Sequence, residues 1–71
     1  MEYNMAENGV RLTALRGCKS REEVAMANRI SVSALAMYEL GQRNPRDDIK
    51  ISLADYYGVR VSDIFFPEKV T

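Results

Sequence analysis

Seventy-one residues predict one small domain, because a chain of this length buries roughly 60% of the surface its unfolded form exposes and has little stability to spare. One cysteine, Cys18, excludes an internal disulfide and reads as an idle loop thiol; the lack of histidine removes the commonest general base and the usual zinc ligand, which weighs against hydrolytic or metal chemistry. Ten cations balance ten anions, yet residues 16–46 carry +3 while residues 1–15 carry −1 and residues 47–71 carry −2, so a basic middle lies between acidic ends.

The first eight residues read as a loose arm. Asn8 offers an N-cap; Val10, Leu12, Ala14 and Leu15 supply an apolar side up to Arg16; Gly17 gives the left-handed position that stops helix one. Ser20-Arg21-Glu22-Glu23 is a capping box, in which the Ser20 hydroxyl accepts from the Glu23 amide and the Glu23 carboxylate reaches back to the Ser20 amide. Helix two then runs from Arg21 to about Asn28 with Val24 and Ala25 turned inward. Ser31 is the next cap, and helix three runs from Val32 to about Leu40 with Leu35 and Tyr38 on one face and Gly41 closing it.

After the polar loop Gln42-Arg43-Asn44, Pro45 suits the start of a helix, and Asp47 and Asp48 put negative charge in its first turn. Ile49, Leu53, Ala54 and Tyr57 keep a helical period as far as Gly58, with Tyr56 at the rim. A last short turn opens at Ser62 with Ile64, Phe65 and Phe66 behind it; Pro67 ends it and residues 67–71 form a tail. Strand signals are nearly absent, which predicts an all-α fold of five helices joined by loops of two to five residues.

The informative stretch is Ser20 to Pro45. Two short helices meet across the turn Arg29-Ile30-Ser31, Ala25 lies near their crossing, and Ile30, Leu35 and Tyr38 face inward. That leaves Val32, Ser33, Ala36 and Met37 as an outward strip, the arrangement in which a helix is presented to a DNA major groove. Arg16, Ser20, Arg21-Glu22-Glu23-Val24-Ala25, Ile30-Ser31, Leu35, Tyr38-Glu39, Gly41 and Asn44-Pro45 together resemble the phage-repressor and Cro-like (Xre-type) helix-turn-helix family across residues 9–66.

The resemblance implies a lambda-repressor-like domain that regulates transcription, with a double-stranded DNA operator as partner and no cofactor. It implies base contacts from Val32, Ser33 and Met37, and backbone contacts from Arg21, Ser31, Gln42, Arg43 and Asn44. It also implies an ion pair between Arg16 and Glu39. Where the family most often has glycine, this chain has Arg29, and Asn28 stands where leucine is common; either is the left-handed residue of the turn, and a looser end to helix two is expected. Leu40 replaces a residue that is usually polar.

Phe65, Phe66 and Val70 exceed what so small a core needs; they form either a lid on the domain or a homodimer contact. No apolar run approaches the ~20 residues of a membrane span and no leader opens the chain, so a cytoplasmic protein without a membrane or small-molecule partner is expected. No nucleophile–base pair or phosphate loop suggests an enzyme. The rival to DNA binding is a protein-interaction module on the same fold, antitoxin-like or an adaptor, favoured by the apolar Val32-Ala36-Met37 strip and Leu40. A basic rim of Arg21, Arg29, Arg43 and Arg46 favours DNA.

Overall fold

Serine hydroxyls start the two central helices. In the computed structural model, which describes residues 5–65, the Ser20 and Ser31 side chains accept from the amides of Glu23 and Ala34, each at 3.0 Å. Each bond satisfies one of the amide donors that a helix start leaves open. The reciprocal bond expected from the Glu23 carboxylate is not formed among the described residues. The helices run α1 (Met5–Arg16), α2 (Arg21–Ala27), α3 (Val32–Glu39), α4 (Asp47–Tyr57) and α5 (Val61–Ile64), with no strand among the described residues.

The ends of α2, α3 and α4 share one device. At α2, the Ile30 amide bonds the Ala25 carbonyl at 3.0 Å and the Arg29 amide bonds Met26 at 3.2 Å. Gln42 and Gly41 do the same to Met37 and Tyr38, and Val59 and Gly58 to Ala54 and Asp55. Such a crossed pair of bonds needs a left-handed residue at its corner. The corners are Arg29 (φ 58), Gly41 (φ 73) and Gly58 (φ 72). Of the two candidates in the α2–α3 turn, the left-handed residue is therefore Arg29, while Asn28 closes α2 at φ −103.

Asn28 is also no loose end. It is buried; its Nδ2 donates to the Val24 carbonyl at 2.8 Å, and its Oδ1 accepts from the Ser52 hydroxyl at 2.6 Å. A leucine would pack here. The asparagine instead ties the end of α2 to α4 by hydrogen bonds.

Two helix starts differ from the sequence reading. Helix α1 already includes Met5, and Asn8 is buried inside it rather than capping it. Its Oδ1 accepts from Arg11 at 2.9 Å, and the same guanidinium reaches the Ile64 carbonyl at 3.1 Å, joining α1 to the end of α5. The apolar residues Val10 and Leu15 point outward; the inward face is Asn8, Gly9 and Leu12. Helix α5 starts at Val61, two residues after Val59, because the Asp63 carboxylate accepts from the Arg60 amide at 2.9 Å, which makes Arg60 the cap rather than Ser62.

The core is built from Leu12, Val24, Leu35, Leu53 and Ile64, one from each helix and all without exposure. Phe65 joins them at 3% exposure, with the Lys50 ammonium 5.7 Å from its ring centre. It is part of the core, so of the two sequence-based alternatives the lid holds for Phe65 and the dimer contact is corrected; Phe66 and Val70 lie outside the described residues. Tyr56 and Tyr57 are half-buried on α4 and meet edge to face, ring centres 5.2 Å apart.

Gly9 is where α1 touches α3 most closely. A Cβ built there would overlap the backbone carbonyl of Glu39 and lie 2.9 Å from the carbonyl oxygen of Tyr38. Neither obstacle can rotate away. Helix propensity alone would make Gly9→Ala stabilising by about 1 kcal/mol. The close approach reverses the sign: Gly9→Ala is expected to lower stability by about 1–3 kcal/mol, read as a lower urea midpoint with unchanged slope.

Candidate nucleic-acid interface

The candidate interface is built on α3, whose two sides differ in burial. Leu35, Tyr38 and Glu39 face the core, whereas Val32 is 39% exposed and Ser33 is open to solvent. Ala36 and Met37 are half-buried, so the outward strip is widest at the helix start. The structure thus brings Val32, Ser33 and Met37 onto one helix, with Met37 the least accessible of the three.

Beside that start lies a cleft of about 290 Å3. It is lined by Arg29, Ile30 and Ser31 of the α2–α3 turn, Ala34 and Tyr38 of α3, and Arg43, Asn44, Arg46 and Ile49 beyond it. The loop that follows α3 therefore folds back against the turn that precedes it. Of the residues assigned to backbone contact, Ser31, Arg43 and Asn44 meet here, and exposed Gln42 stands one residue away in the loop. Arg29 and Arg46 join them, although the resemblance assigned neither a contact.

Arg21 is placed differently. Its Nε donates to Glu39 Oε1 at 2.8 Å, while the Nε of Arg16 donates to Glu39 Oε2, also at 2.8 Å. The Glu39 side chain has no exposure, so one buried carboxylate holds two guanidiniums. The sequence reading paired Glu39 with Arg16 alone. The signal for the second partner was available: Arg21 opens α2 and Glu39 ends α3, so packing the two helices brings them together.

The carboxylate's hydrogen bond holds the Arg16 guanidinium proton more firmly than usual, against the opposing cost of burial. Arg16 also donates to the Lys19 carbonyl at 2.8 Å, fixing the loop between α1 and α2. Near this network the Tyr57 hydroxyl is buried without a hydrogen-bond partner among the described residues. Burial first, and the Glu39 charge second, push its pKa up from 10.0 to about 12.

A short helix exposed at its start, braced by a second across a tight turn and flanked by a cationic cleft, is the form of a helix-turn-helix DNA-binding regulator. The profile of the helix-turn-helix family matches residues 19–64, and the chain belongs to that family, in its Xre and Cro-like form. Among solved structures it is similar to the restriction-modification controller protein C.AhdI from Aeromonas hydrophila. The two are 28% identical, with 86% of this chain and 96% of that one covered and a TM-score of 0.78. The clp gene regulator ClgR from Corynebacterium glutamicum is 25% identical over 89% of this chain and 69% of that one, with a TM-score of 0.79. The DNA-binding domain of BldD is 27% identical over 92% and 99% of the respective chains, with a TM-score of 0.75. No curated protein sequence matches the chain. No described helix is long and apolar enough to cross a membrane.

Tyr57 gives the site a pH signature. A tyrosine with a raised folded pKa favours the folded state fully below its ordinary pKa of 10.0, and this contribution is lost as pH rises towards about 12. Tyr57→Phe is expected to leave stability at pH 7 unchanged or raised, since the hydroxyl it removes has no partner. Above pH 10 the variant should lose less stability than the wild type. Equal alkaline loss in both, followed by urea denaturation across pH 8–12, would contradict the assignment.

Proposed function

We propose that the protein is a cytoplasmic transcriptional repressor that binds a two-fold DNA operator as a homodimer and reads the major groove with α3. One observation carries the reading: the exposed start of α3 stands beside a cleft lined by three arginines. Base edges and phosphates lie side by side in a groove, so a reading helix needs cations at its flank. Val32 and Met37 suit thymine methyl groups, and Ser33 can donate to or accept from a base edge. Ser31, Gln42, Arg43 and Asn44 take the backbone. Arg21 adds a phosphate contact through the nitrogens that Glu39 does not engage.

A single reading helix covers only part of a regulatory site, too little for the ~10⁻⁸ M affinity usual for specific regulators. Two copies with their α3 helices one DNA turn apart, about 34 Å, supply the rest. C.AhdI is a restriction-modification controller protein and ClgR a clp gene regulator, in keeping with this role. A second reading, in which α3 meets another protein, draws on Leu40 at 60% and Met26 at 80% exposure.

The test is selection of bound duplexes from a random pool, followed by titration at several salt concentrations. A two-fold consensus bound by two copies is expected. Ser33→Ala and Met37→Ala should shift the preferred bases, by about 1–3 kcal/mol for a good contact and less for an apolar one. Arg43→Ala should weaken all duplexes alike and lower the salt slope by about one. No selected consensus, with normal folding, would favour the protein-partner reading.

A further inference from the structure

We propose that Arg29 is a phosphate-binding residue held in a strained backbone conformation, and that with Arg43 and Arg46 it seats one phosphodiester of the DNA backbone at the α2–α3 turn. This rests on the reading of α3 as the DNA-facing helix and adds a defined anion seat beside it. Three helices end in the same crossed pair of hydrogen bonds, and each needs a left-handed corner. Glycine fills two of those corners without strain; at the third, the side chain of Arg29 crowds its own backbone.

Nothing in the packing asks for a side chain at that corner. Arg29 is exposed and has no ion-pair partner among the described residues. What its side chain does is line the cleft that Ser31, Arg43, Asn44 and Arg46 also line. No carboxylate is part of that lining. Arg43 likewise has no ion-pair partner among the described residues. Arg46 meets Asp48 only at 3.6 Å, through side chains 81% and 71% exposed, a pair too solvated to cancel its charge.

Three cations gathered with only one solvated carboxylate at their edge repel one another, and an arriving anion relieves that repulsion while gaining their attraction. Ile30, Tyr38 and Ile49 form the apolar part of the cleft and keep water from screening it fully. Guanidinium forks match phosphate oxygens in pairs, which a lysine ammonium cannot do. Val32 and Ser33 follow Ser31 directly, so a phosphate seated here sets how deeply the start of α3 enters the groove.

The experiment compares wild type, Arg29→Gly and Arg29→Asn on a selected operator and an unrelated duplex across a salt series, together with thermal unfolding. Glycine removes strain and charge; asparagine removes the charge while still tolerating the left-handed corner. Both variants should bind both duplexes several-fold more weakly, with a salt slope lower by about one. Arg29→Gly should also raise Tm by about 4 °C or more. Weaker binding by a more stable protein is the signature sought. Wild type that binds no duplex at low salt would overturn the proposed function and the seat together. Wild type that binds, with variants equal to it in affinity and slope, would overturn the seat alone, as would a less stable Arg29→Gly. A saturable response to inorganic phosphate at constant ionic strength, lost in Arg29→Gly without any change in duplex binding, would assign the cleft to a small free anion and overturn the proposal.

Discussion

Glu39 ends α3 with its carboxylate fully removed from water, and on its two oxygens sit the last residue of α1 and the first residue of α2. An anion at a helix C-terminus and a cation at a helix N-terminus each oppose the local dipole. Glu39 and Arg21 offset those penalties by facing each other, and Arg16 adds a cation where the end of α1 favours one. Removing one partner of such a buried group typically costs about 3–5 kcal/mol, a large share of the stability of a small domain. Three helix ends are thereby pinned at one point. The outward strip of α3 points where it does because its far end is tied to both of the helices it packs on.

Much of this was legible in the sequence because local chemistry and global fold agree there. Ser20, Ser31 and the terminal glycines mark α2, α3 and α4 through bonds that span only a few residues, so spacing alone reveals them. Misreadings came where a partner other than the expected one decided. Asn8 looks like a cap until Arg11 and the close approach at Gly9 turn it into a buried helical residue. Ser62 looks like a cap until Asp63 is seen to bond Arg60. Phe65 looks surplus because no local pattern shows the core that takes it in. Of the candidate interface, the helix and its loop were legible in the sequence. The cleft stayed hidden, because it arises only when residues 29–31 and 43–49 come together in space.

Six of the seven arginines divide into three kinds of work that composition cannot separate. Arg11 and Arg16 hold helices to one another, Arg21 both braces α3 and stays half-exposed, and Arg29, Arg43 and Arg46 surround an open cleft. A net charge of zero is therefore a poor guide to the protein's surface. One carboxylate of the basic middle is buried inside the fold, and Asp47, Asp48, Asp55 and Asp63 lie beyond it on α4 and α5. The uneven field belongs to the folded molecule.

The contact at Gly9 brings main chain against main chain, with no side chain between the two helices at that point. A helix seated on side chains can shift as they change rotamer; one seated on a neighbouring backbone has no such slack. The pose of α3 is thus settled during folding, and its ordering entropy is lost then rather than at the encounter with a partner. Such a surface meets its target as a rigid body, and its affinity tracks complementarity of shape and charge, with little drawn from adaptation.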